Sequence, residues 1–179
     1  MPKYYIPSMY LKDIYQIPVK TLKQKGVKAL VFDLDNTIAR TDEKIPNSKV
    51  INYFETLKKD FTLFILSNSP SKRVKPFGDK LGIKYYSLSL KPNTQNMKRL
   101  LKENNLNKED IILIGAQYMT DMLLAKKLKL NTILVDPISN NEFKITSINR
   151  FLEKKILKKL KEEKLLEKGK YYYEWRKML

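Results

Sequence analysis

The run Val31-Phe32-Asp33-Leu34-Asp35-Asn36-Thr37 closes an apolar stretch with two acids one residue apart. In an extended strand, side chains two positions apart point the same way, so both carboxylates address one site. Bringing like charges together is unfavourable, and a fold gains nothing from it unless a cation or an anionic substrate uses the pair. A calcium loop beginning at Asp33 would need Gly at its sixth position and Glu at its twelfth; these are Ile38 and Lys44. A strand-end turn of acids followed by the Thr37 hydroxyl suits magnesium-assisted phosphoryl transfer instead, with one carboxylate attacking phosphorus and the other moving the proton. The alternative is that the acids only cap the strand exit.

Three further positions fall where that chemistry needs help. Ser67-Asn68-Ser69-Pro70 offers a hydroxyl and backbone N–H groups at a helix start, which can hold phosphate oxygens. Lys91-Pro92 places a cation that can neutralise phosphate and acids together. Gly115-Ala116-Gln117-Tyr118-Met119-Thr120-Asp121 puts one acid in the first turn of a helix, within reach of magnesium. Each has an ordinary explanation as well: a helix cap, a solvated lysine, an acid at a helix start.

Positioning these groups requires strands that end together. Apolar runs at 28–34, 61–67, 83–87, 111–115 and 132–135 alternate with amphipathic stretches at 48–59, 71–81, 94–104 and 120–128. Five strands with four crossovers predict a small doubly wound, Rossmann-like parallel α/β sheet. In such sheets ligands bind beyond the carboxyl ends of the strands, where strand order reverses. The polar residues just past each strand are therefore the ones that matter.

The 179 residues, 42% hydrophobic and 31% charged, suit one compact domain. Without Cys or His there is no disulfide, thiolate nucleophile or imidazole base, so catalysis must run on carboxylates, hydroxyls, amides and lysines. Thirty-six Lys and Arg against 19 acids give a charge of +17 and favour an anionic partner. The N-terminus lacks a charged segment followed by an apolar one, and no apolar run approaches the ~18 residues of a spanning helix. A cytoplasmic chain is expected. Residues 1–150 are read as the folded domain and 151–179 as a basic helical extension, with eleven Lys or Arg against five acids between Arg150 and Leu179. Ile148, Leu152, Ile156 and Leu160 form one helical stripe, which can pack on the domain or lie on an anionic membrane. Tyr171, Tyr172, Tyr173 and Trp175 are apolar enough to want a surface.

The order of these features resembles the haloacid dehalogenase (HAD) superfamily of phosphatases. More narrowly, the chain looks like the YqeG family across about residues 5 to 160. The resemblance is carried by Pro7 with Tyr10 and Ile14, Phe32-Asp33-Leu34-Asp35-Asn36-Thr37, Ser67-Asn68, Arg73-Val74 with Phe77, Leu81-Gly82, Lys91-Pro92, Thr132-Ile133-Leu134-Val135 and Ile148-Asn149-Arg150. It implies Asp33 as the nucleophile that forms an aspartyl phosphate and Asp35 as the general acid and base. Thr37, Ser67 and Asn68 would hold phosphate, Lys91 would steady the intermediate, and Asp33, Asp35 and Asp121 would hold Mg2+. Relatives in mitochondria act as phosphatidylglycerophosphate phosphatases, so a lipid phosphate is the implied substrate, with peripheral association at an anionic membrane surface.

Two spacings refine this expectation. The gaps from Thr37 to Ser67 and from Ser67 to Lys91 are about 30 and 24 residues, each consumed by one helix and one strand, which leaves no room for a cap domain. The site should be open, as a bulky phosphate requires. The fourth motif departs from the family, reading Gly115-Ala116-Gln117 where the pattern has Gly-Asp-Gln, and Leu124, Lys126 and Lys129 replace small residues downstream. A catalytically impaired binding or regulatory protein is accordingly the second reading. A basic nucleic-acid or ribosome-associated module is the third, although no nucleic-acid motif accompanies the charge.

Overall fold

The computed structural model describes residues 5–139 and 147–169; the side chains of 147–150, Ile148 among them, and the aromatic run from Tyr171 to Trp175 lie outside the description. The chain builds β1 (Met9–Leu11), α1 (Val19–Gln24), β2 (Ala29–Phe32), α2 (Ser48–Leu57), β3 (Thr62–Leu66), α3 (Ser71–Leu81) and β4 (Lys84–Tyr86). It continues through α4 (Gln95–Glu103), β5 (Ile111–Gly115), a π-helical turn (Tyr118–Met122), α5 (Leu123–Leu128), β6 (Asn131–Val135) and α6 (Ser147–Glu162). The six strands form one parallel sheet in the order β1-β6-β5-β2-β3-β4.

Strand residues alternate between two buried faces, which is why these strands read as continuous apolar runs. Leu30, Phe32, Leu63, Ile65, Ile112 and Ile114 face one core, where α2 and α3 bring Phe54, Leu57 and Phe77. Val31, Phe64, Leu66, Ile111 and Leu113 face the other, covered by Met97 and Leu100 of α4 and Leu124 of α5. Each helix owes its place to its apolar stripe. Asn47 starts α2 by accepting from the Val50 N–H at 3.0 Å, and Gly82, at φ 61°, ends α3.

The sequence suggested five strands, and the structure has six. The additional one, β1, is a three-residue edge strand paired only with β6, too short to show periodicity. Helix α1 also escaped the reading, since its six residues present a single buried side chain, Leu22. Helix α6 closes a third apolar cluster, in which Leu160 and Leu166 pack against Tyr10, Tyr118, Met122 and Leu134. Of the expected stripe, Leu160 is buried and Ile156 partly so, whereas Leu152 is exposed. Among the described residues no helix is long and apolar enough to cross a membrane.

Candidate active site

Strand order reverses at β2, between β3 on one side and β5 on the other, and the polar segments converge there. The ladder runs one residue past β2, with the Asp33 N–H donating to the Ile114 carbonyl at 2.9 Å. The chain then turns sharply, Thr37, Ile38 and Ala39 each donating an N–H to the Leu34 carbonyl at 3.2, 2.9 and 3.2 Å. Asn36 adopts φ 62°, a left-handed conformation that Asn tolerates better than most residues. Its Oδ1 accepts from Ser139, while its Nδ2 is buried with no partner among the described residues.

Lys91 lies at the centre. Its Nζ donates to Asp33 Oδ1 at 2.7 Å, to Asp121 Oδ1 at 2.7 Å and to the Leu66 carbonyl at 2.9 Å, using all three N–H groups. The three side chains are buried. With all of them ionised, one ammonium serves two carboxylates and the cluster carries one negative charge in excess. Burial pushes the Asp33 carboxyl up to about 7; Lys91 opposes this, and the Asp121 charge adds to it. Burial works against the Lys91 ammonium too, but Asp121 and Asp33 outweigh it and hold that group above the ordinary lysine value.

The neighbours fix this arrangement. Asp121 sits in the π-helical turn, and its Oδ2 accepts from the Gln117 N–H at 3.2 Å. A Cβ at Gly115 would lie 2.2 Å from that oxygen, so the residue leading this motif has to be glycine. Asn68 binds both backbone groups of Lys91, donating to its carbonyl at 3.1 Å and accepting from its N–H at 2.6 Å. Its amide thereby positions the lysine while Asn68 also lines the cavity. Ser67 continues β3, donating its N–H to the Tyr86 carbonyl at 2.9 Å, and its Oγ accepts from the Ser69 N–H at 3.1 Å.

Asp35 faces a different set of partners. Its Oδ2 accepts from the Ser69 hydroxyl at 2.6 Å, and its Oδ1 from Nε and Nη2 of Arg73 at 3.0 and 2.8 Å. In this structure both oxygens of this carboxylate, which also lines the cavity, are tied to Ser69 and Arg73. Arg73 also donates to the carbonyls of Arg40 and Glu43 and lies over the Phe77 ring. No acid lies within five positions of Arg73 in the sequence, so its tie to Asp35, 38 residues earlier, leaves no local signal.

A cavity of about 610 Å³ opens above these groups, with Asp33, Asp35, Ser67, Asn68, Arg73 and Lys91 on its wall. Thr37 and Asp121 are not on the wall. The Thr37 Oγ1 is buried with no partner among the described residues, and Asp121 is fully buried, in contact with the wall residue Lys91. Among the described residues, no three acidic side chains converge to hold a metal; Ala116, in the position of the missing acid, is buried.

Known proteins share both the sequence and the fold. Residues 1–139 match the model of the family described as mitochondrial PGP phosphatase. The chain is 35% identical over 162 residues to the probable phosphatase YqeG of Bacillus subtilis, spanning 90% of this chain and 94% of that one. It is 24% identical over 169 residues to the chloroplastic and mitochondrial phosphatidylglycerophosphate phosphatase 1 of Arabidopsis thaliana, covering 88% of this chain and 48% of that protein. A HAD-like hydrolase from Porphyromonas gingivalis superposes with TM-score 0.54 at 14% identity, over 71% of this chain and 98% of its own. A 3-deoxy-D-manno-octulosonate 8-phosphate phosphatase structure from Vibrio cholerae gives 0.53 at 18% identity, over 68% and 73%. The chain has the HAD-like fold, and it belongs to the mitochondrial PGP phosphatase family.

Proposed function

We propose that the protein is a Mg2+-dependent phosphomonoester hydrolase that works through an aspartyl phosphate on Asp33, with a lipid phosphate such as phosphatidylglycerophosphate as substrate. The observation that carries this reading is the Lys91 ammonium shared by Asp33 and Asp121 at the base of an open cavity. Lipid phosphate is suggested by the names of the family and of the Arabidopsis relative, and by a site that no inserted domain covers.

The residues fit a divalent cation that keeps most of its waters. Asp33 commits only Oδ1, to Lys91, and the buried cluster has an uncompensated negative charge. Magnesium is commonly held by one or two carboxylates together with water and substrate phosphate, so Asp33 would bind it with Asp121 close by. It would supply charge neutralisation, letting a phosphate dianion approach a carboxylate.

The chain's own groups account for the chemistry. An Asp33 carboxylate oxygen forms a bond to phosphorus as the bond to the leaving oxygen breaks, and Asp35 gives that oxygen a proton. Asp35 then takes a proton from water as the water attacks the acyl phosphate, releasing inorganic phosphate and regenerating Asp33. Lys91 offsets charge on the transferring group throughout. Ser67, on the cavity wall, and the N–H groups that open α3 would bind the phosphate oxygens.

The test is magnesium-dependent release of phosphate from p-nitrophenyl phosphate, and the variant is Asp33→Asn. Loss of turnover in a folded Asp33→Asn protein supports the reading; undiminished turnover refutes it. A wild-type protein that binds phosphate without hydrolysing it would instead favour the binding-protein reading that Ala116 suggests.

A further inference from the structure

Six large apolar side chains are exposed among the described residues, and four of them stand on loops at the edge of the sheet where the cavity opens. Ile45, Leu88, Leu90 and Ile138 are 58%, 56%, 67% and 48% exposed. They follow β2, β4 and β6, so the parallel topology places all of them at the carboxyl edge of the sheet. Their backbones are tied to the cavity wall. The Leu88 N–H donates to the Ser69 carbonyl at 3.0 Å and the Ile138 N–H to the Asn36 carbonyl at 3.1 Å. Leu90 immediately precedes Lys91, and Ile45 lies two residues after Glu43, whose carbonyl Arg73 holds.

Two of these residues are also strained. Leu88 and Leu90 adopt φ 47° and 52°, the left-handed region that residues with a bulky side chain disfavour. Strain of this kind persists only where the surrounding structure holds it, and it clusters at functional sites. Here it turns two leucines outward on either side of buried Ser89.

We propose that this rim is a docking face for an anionic lipid bilayer, the four aliphatic tips entering the boundary between headgroups and acyl chains with the cavity facing the membrane. The inference rests on the lipid-phosphate reading of the site and adds to it which surface meets the lipid. The tips stand on three loops, Leu88 and Leu90 sharing one, which suits a soft interface better than a partner helix. Exposed Lys44 directly precedes Ile45, exposed Lys72 lies on the cavity wall, and the chain carries +17, matching the negative charge of lipid phosphates. The face differs from the basic helix α6, on which Phe151 and Leu152 are the other two exposed apolar side chains.

Cosedimentation of the full chain with vesicles of phosphatidylcholine plus phosphatidylglycerol, against phosphatidylcholine alone, tests this. Wild-type protein should pellet with the anionic vesicles in a salt-sensitive way. Leu88→Asn/Leu90→Asn should lower partitioning on the order of tenfold without lowering the melting temperature, because Asn accepts left-handed backbone. A merely structural role for the leucines gives the opposite pattern, lost stability with unchanged partitioning. The proposal is overturned if wild-type protein ignores anionic vesicles. It is equally overturned if adding Ile45→Ser and Ile138→Ser to the Asn pair still leaves binding intact, or if only Phe151→Ser/Leu152→Ser abolishes it. Hydrolysis of p-nitrophenyl phosphate by the wild-type protein is read separately. Its absence defeats the phosphatase reading, whereas intact hydrolysis without partitioning defeats the docking face alone.

Discussion

Arg73 grips one oxygen of Asp35 with two N–H groups, at 3.0 and 2.8 Å, while spanning to the carbonyls of Arg40 and Glu43. One guanidinium thus orients the proposed acid and base and also pins the loop after β2 against α3. Arg73→Lys keeps the charge and loses the fork. It is expected to lower kcat about a hundredfold with a smaller effect on KM, as misplacing a positioned group does, and to displace the pH-rate profile. A change confined to KM would argue that Arg73 contacts substrate instead.

Ala116→Asp places a third acid next to the buried cluster. Magnesium affinity should rise by about tenfold or more, since a further carboxylate ligand is added, and calorimetric titration with the metal alone measures it. In chelator the same variant should melt lower than wild type, because the cluster already holds excess negative charge. Unchanged affinity would show that position 116 does not face the ion.

The Asp33 carboxyl, raised to about 7 by burial, makes stability depend on pH. In the unfolded chain this group loses its proton near 4, and in the native state near 7, so chelated wild-type protein should lose stability as pH rises between those values. Asp33→Asn has no such proton to lose. At pH 8 in chelator it should be more stable than wild type by ~1 kcal/mol or more, and near pH 4 the difference should vanish. Urea unfolding at the two pH values checks this; parallel curves would contradict it.

Gly115→Ala drives a methyl into Asp121, 2.2 Å from Oδ2. Displacing a buried, hydrogen-bonded carboxylate should cost about 1–3 kcal/mol and loosen the hold on Lys91. Thermal unfolding and phosphate release should both fall. Retention of both would mean that the π-helical turn yields.

Much of this was legible before any coordinates. β2, β3 and β5 are buried on both faces and so appear as unbroken apolar runs, and the acids, Ser67, Lys91 and Asp121 stand out because each interrupts or follows such a run. β1 was missed because three residues carry no periodicity, and α1 because one buried leucine makes no stripe. The roles of Asn68 and Arg73 were hidden for another reason. Each depends on a partner 23 to 38 residues away, and side-chain hydrogen bonds at that separation leave no local pattern. The rim leucines were equally invisible, since a leucine in a loop looks like any other until its φ and exposure are known.

The strands that carry Asp33, Ser67 and Gly115 are interior to the sheet, hydrogen-bonded on both sides, whereas Leu88, Leu90 and Ile138 ride on the turns beyond edge and near-edge strands. The two sets meet on the loop after β4, where Leu90 runs directly into Lys91 and the Leu88 N–H is held by the Ser69 carbonyl. Exchanging side chains on these turns leaves the interior ladders beneath Asp33 and Ser67 untouched, whereas an insertion or deletion after β4 would move the lysine that joins Asp33 to Asp121.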